Sequence, residues 1–129
     1  MARSNGFESP AGGTYADDDA RRAAMRDRDF EARREALTAE HGQGRHYPEA
    51  TALRLLGGAG AGLNVNEAVA WLYPTREAAQ AWHQLNHEYH GHTSLGIVAA
   101  PDGGGYIGVM DVRKQLGEMR ARHEAQRRP

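Results

Sequence analysis

Four of the seven histidines fall between residues 83 and 92, at His83, His87, His90 and His92. At about 100° per residue, a helix would set His83, His87 and His90 within roughly 60° of one another. Imidazoles at that spacing can bind zinc or nickel, so this stripe is the first candidate for chemistry. The segment His83-Gln84-Leu85-Asn86-His87 lacks the glutamate that a zinc hydrolase places beside its first histidine, so the general base is missing. The sequence therefore favours surface or interface histidines over a structural metal, and a structural metal over a catalytic one. No cofactor is expected. The same geometry turns the stripe about 130° from the apolar face of Ala78, Trp82, Leu85 and Tyr89, so the three histidines are expected to flank the core or face solvent. Such a face would be sensitive to protonation near about pH 6.

Other reactive groups are sparse. Cysteine is absent, which removes disulfides, thiolate nucleophiles, iron–sulfur clusters and sulfur-ligated zinc. Ser4, Ser9 and Ser94 sit in no nucleophile elbow, and the carboxylates fall mostly on charged helical segments. The run Gly57-Gly58-Ala59-Gly60-Ala61-Gly62 invites comparison with phosphate-binding loops, but it has no Gly-Lys-Ser/Thr ending. It reads as a flexible hairpin connection. No catalytic signature emerges, and the chain is not expected to be an enzyme.

Charge is uneven although the formal net charge is only −1. Residues 1–50 hold eight basic and ten acidic residues, residues 51–112 hold two and five, and residues 113–129 hold six and two. The basic end, with Arg113, Lys114, Arg120, Arg122, Arg127 and Arg128, could neutralise phosphates. Glu118 and Glu124 dilute it, and no aromatic residue follows Met119 to stack on bases. Arg outnumbers Lys 15 to 1, a ratio that GC-rich coding produces without any nucleic-acid role. It also suggests a GC-rich bacterium, phage or plasmid as the source.

The elements that must position these groups follow from periodicity and breakers. Residues 1–15, with Gly6, Pro10, Gly12 and Gly13 and only Phe7 and Tyr15 as large apolar groups, bury too little to offset ordering and read as a flexible tail. A charged helix is expected from Asp17 to His41, its acids leading its arginines, with ion pairs Asp17–Arg21, Asp18–Arg22 and Asp29–Arg33 at i,i+4. Its thin apolar edge is Ala16, Ala23, Phe30 and Leu37, too incomplete for a coiled coil. Phe30 and Leu37 are thus candidate contacts to the rest of the chain or to a second subunit.

Ala50 to Leu56 reads as a strand or a single helical turn, and Glu67 to Tyr73 as a strand, with a helix over Asn66 to Leu72 as the alternative. Thr75 caps a helix that Gly91 closes. Leu95, Ile97 and Ala99 pair across Pro101–Gly105 with Tyr106–Met110 as a β-hairpin. Asp111 caps a last helix with the stripe Val112, Leu116 and Met119. The fold expected is α+β: residues 1–15 a tail, and residues 16–129 one domain with an antiparallel sheet of about four strands and helices packed on it.

No run reaches the roughly 20 apolar residues of a membrane span, and the amino terminus lacks a signal-like stretch. A cytoplasmic protein is expected. The function expected is a non-catalytic interaction module, a small regulator or inhibitor that binds a protein partner, with Phe30, Leu37, Arg113, Lys114, Arg120 and Arg122 as candidate contacts. A nucleic-acid-binding accessory protein using the basic last helix is the second reading, and a metal-binding protein using His83, His87 and His90 the third. A homodimer through Phe30/Leu37 or Val112/Leu116/Met119 remains open.

Overall fold

The computed structural model describes residues 11–127, with side chains from residue 17 onward. Most of the assigned tail, including Phe7, lies outside the described residues. Helix α1 (Ala11–His41) begins inside the rest of it and runs for 31 residues. Two compact units divide between Arg33 and Arg34. In the first, acids pair with arginines one residue closer than expected: Asp18 meets Arg21 at 3.4 Å and Asp19 meets Arg22 at 3.8 Å. Both pairs are exposed, so each contributes at most a few tenths of a kcal/mol. No described side chain of α1 is buried, and Met25 is 55% exposed.

The second unit is built on a four-stranded antiparallel sheet. Its strands are β1 (Arg45–His46), β2 (Ala68–Tyr73), β3 (Thr93–Ala99) and β4 (Tyr106–Asp111), in the order β1-β2-β4-β3. Helices α2 (Glu49–Leu56), α3 (Arg76–His90) and α4 (Arg113–Arg127) complete an α+β fold of four helices and four strands among the described residues. No helix among them is long and apolar enough to cross a membrane.

Both sheet faces are covered. On one, Ala52 of α2 packs with Ala68 and Ala70 of β2 and with Ile107 and Val109 of β4, flanked by Leu53, Leu56 and Val98. The small alanines let α2 lie close, while fully buried Ile107 and Val109 each contribute about 1.5–3 kcal/mol relative to exposure. On the other face α3 packs across β2, β4 and β3. Ala78, Ala79, Trp82, His83 and Leu85 are its buried residues. Trp82 Nε1 donates to the Gly42 carbonyl at 3.0 Å, which fixes the chain leaving α1.

Of the two states the sequence leaves open for Ala50–Leu56, the helical one forms, longer than a single turn: the segment belongs to α2, which Pro48 enters with extended backbone. Pro48 has no N–H to leave unpaired at a helix start, and the Ala/Leu/Arg content that follows favours helix. The fourth strand is instead the two-residue Arg45–His46, paired with Leu72 and Trp71. Consequently the glycine run is no hairpin connection. It forms a 3₁₀ turn over Gly57–Gly60 between α2 and the approach to β2, with Gly60 buried beneath Leu53. The helix from Thr75 to Gly91, the 93–111 hairpin and the last helix stand where periodicity put them.

Candidate functional site

Thr75 Oγ1 accepts the Ala78 N–H at 3.0 Å, and Gly91 closes α3 in the left-handed conformation. Between those caps, α3 presents Gln80, His83, Gln84 and His87 toward β3, a spacing of three, four and seven that keeps them on one side. Opposite stand Ser94 and Ile97 of β3, with Met110 of β4 as floor. Together they line a cleft of about 390 Å³.

His83 is the surprise of this site. Only 6% exposed, it does not face solvent but packs against the sheet at the edge of the buried face. An arc centred on Ala78, Trp82, Leu85 and Tyr89 leaves out Ala79, which is fully buried. Including Ala79 widens the buried arc by about 60°, and His83 falls about 40° beyond its new edge. Gly108 of β4 supplies the space, since a side chain there would run into His83 Nε2. The ring stands edge-on to Tyr73, centroids 6.5 Å apart.

His83 Nδ1 lies 2.8 Å from Ser94 Oγ, whereas Nε2 is buried with no hydrogen-bond partner. Of the two neutral tautomers, the one protonated at Nε2 would bury an unsatisfied donor, at about 1–3 kcal/mol. The favoured form carries its proton on Nδ1 and donates it to Ser94, leaving the Nε2 lone pair against Gly108. Burial, reinforced by the charge of nearby His92, pushes the imidazole down to about 4. The lone pair a general base needs is therefore not the one facing Ser94, and Ser94 keeps its own proton to offer into the cleft.

The neighbouring histidines are held by their own partners. His87 Nδ1–H donates to the His92 carbonyl at 2.8 Å, so in the neutral ring Nε2 is an acceptor at the cleft rim. His92, buried, lies with Nε2 2.7 Å from Gln115 Oε1 of α4. His90 lies beside His92, ring centroids 5.4 Å apart. His83, His87 and His90 thus do not converge: among the described residues no three His, Asp or Glu side chains are placed to hold a metal ion.

The remaining candidates are dispersed. Phe30 and Leu37 of α1 are half-buried. Arg113 grips Asp111 through both carboxylate oxygens, at 2.7 Å from Nη2 to Oδ2, and holds that carboxyl below its usual range. Lys114 meets Glu118 at 2.8 Å. Arg120 and Arg122 stand on the exposed part of α4 beside half-exposed Met119. The stripe Val112/Leu116/Met119 is divided, since Val112 is already buried. Arg128 lies outside the described residues. Sequence reasoning missed the Ser94 partnership and the cleft, for which the only signal is Gly108 alternating with Ile107 and Val109 opposite a histidine. Compared with family models, with characterised proteins and with solved structures, this chain matches none.

Proposed function

We propose that the protein is a non-catalytic interaction module, a small cytoplasmic regulator or inhibitor that binds a protein partner through its terminal helices. The observation that carries this reading is that neither α1 nor α4 buries a single described side chain. Helices in globular proteins draw most of their stability from a packed face, and a 15-residue helix without one is marginal in water. Surfaces of this kind gain stability when a partner covers them. Phe30 and Leu37 on α1 and Met119 on α4 supply the apolar contacts, and the flanking arginines supply polar ones.

The basic character of α4 is weaker than its composition, because Arg113 and Lys114 are engaged by Asp111 and Glu118. Arg120, Arg122 and Arg127 then carry most of its reach toward an acidic surface. Affinity capture from lysate of the cells that make the protein tests the reading, with the full chain compared to chains starting at residue 34 or ending at residue 117. A stoichiometric protein that survives nuclease and is lost with either truncation supports it. Loss of everything on nuclease treatment would transfer the reading to nucleic acid, whose affinity should then fall steeply with salt.

A further inference from the structure

Strand β3 forms one end of the sheet, paired on one side only, with β4. It spans seven residues, Thr93–Ala99, with no charged side chain and no proline, the two devices that most often blunt a free edge. A shift of register between Ser94 and Gly96 is its one irregularity. Ala100 N–H donates to the Gly105 carbonyl at 2.8 Å, which fixes the phase of the hairpin. By antiparallel alternation Val98 faces β4 with its peptide groups, while Ile97 and Ala99 turn theirs outward. Among the described residues no other element pairs with those outward groups.

The cleft between α3 and β3 runs along this same edge, and Ile97 belongs to both: its side chain lines the cleft while its backbone faces outward. Directly opposed residues of neighbouring strands share a sheet face. A strand added to β3 would therefore lower the side chain opposite Ile97 into the cleft.

We propose that the β3 edge and the adjoining cleft bind an extended peptide segment of another protein by strand addition, with an uncharged amide or hydroxyl side chain entering the cleft. The backbone supplies affinity and the cleft supplies choice, as in other strand-addition sites. Charge complementarity sets the side-chain class. No Asp, Glu, Lys or Arg lines the cleft, so a buried carboxylate or ammonium would lose its hydration without a permanent counter-charge. The Ser94 O–H, the two glutamine amides and His87 Nε2 offer both donors and acceptors, which an Asn, Gln, Ser or Thr side chain satisfies. A second copy of this chain is the poorer occupant. Self-pairing about Ile97 presents Ile97 or Ala99 to the cleft and leaves those polar groups unsatisfied. The proposal uses neither terminal helix, so it stands or falls separately from the surface assigned to α1 and α4.

The test uses the full chain and blocked peptides in which valine alternates with Thr, Asn, Asp or Lys, each with terminal lysines for solubility. The Thr and Asn peptides should bind at least tenfold more tightly than the Asp and Lys peptides and slow hydrogen exchange at the Ile97 and Ala99 amides. Methylating alternate backbone nitrogens of the Thr peptide should abolish binding with the protein unaltered, and the chain ending at residue 117 should bind as the full chain does. Equal binding of charged and uncharged peptides, indifference to methylation, or no protection by any peptide overturns the proposal. So does a chain that sediments as a dimer with Ile97 and Ala99 already protected, which would give the edge to a second copy.

Discussion

His83 and Gly108 share one small volume from opposite sides, a side chain on α3 and its absence on β4. Gly108→Ala puts a methyl group against His83 Nε2 and the Tyr73 ring, and overpacking of this kind costs about 1–3 kcal/mol. Urea unfolding should register that loss, and His83→Ala in the same chain should recover part of it, since the two sites are in contact. A second consequence concerns pH. The unfolded chain protonates His83 near the ordinary 6.5, whereas the folded chain holds it neutral down to about 4. The stability contributed by the neutral ring is complete above pH 6.5 and is lost as pH falls from there toward 4, by about 3 kcal/mol in all. Wild-type unfolding free energy should fall between pH 6.5 and 4.5 more steeply than that of His83→Asn, which cannot titrate. Parallel slopes would remove His83 as the cause. None of this was legible in the helical wheel, because the hole that admits His83 is made by a glycine on a strand 25 residues later.

Elements defined by local chemistry were readable, and those defined by tertiary contact were not. Thr75, the i, i+4, i+7 series beginning at Ala78, and Gly91 announce α3 from both ends, and α3 is where they put it. Likewise Pro101–Gly105 between two alternating segments announces the β3–β4 hairpin. Strand β1 has only two residues, too few for any period, and exists because β2 offers it a partner at Leu72 and Trp71. The segment 50–56 carries apolar residues compatible with either state; its Ala/Leu/Arg content leans toward helix, and the fit of Ala52 against Ala68 and Ala70 makes helix the answer. A cap that is legible should also be measurable. Thr75→Ala leaves the Ala78 N–H without its side-chain acceptor and should cost about 1 kcal/mol, while Thr75→Ser should cost little. Thermal unfolding of the two variants side by side reads the difference. Equal losses would mean that the Thr75 methyl group, and not the cap, is what the fold uses.

At the scale of the whole molecule, burial is concentrated on the two faces of the sheet, beneath α2 and beneath α3, and the described chain beyond Leu116 adds nothing to it. Every described residue from Gly117 to Arg127 is exposed, so the core places no demand on the composition of this segment. What α4 contributes to the fold lies in its first turn: buried Val112 precedes it, Gln115 reaches His92, and Arg113 ties down Asp111. A chain ending at Gly117 keeps all three and gives up only the exposed Lys114–Glu118 pair and the outer helix. Its unfolding free energy should therefore match that of the full chain within about 0.5 kcal/mol. A chain ending at Val112 keeps that side chain but loses the Arg113–Asp111 pair and leaves His92 without its glutamine, and should lose about 1–3 kcal/mol. Urea titrations of the three lengths order the outcomes. If the longer truncation product proves as damaged as the shorter, the outer helix is held by the fold itself and its open surface is not reserved for a partner. If it is as stable as the full chain, residues 118–127 are free to be selected for binding alone, as their arginines and half-exposed Met119 suggest.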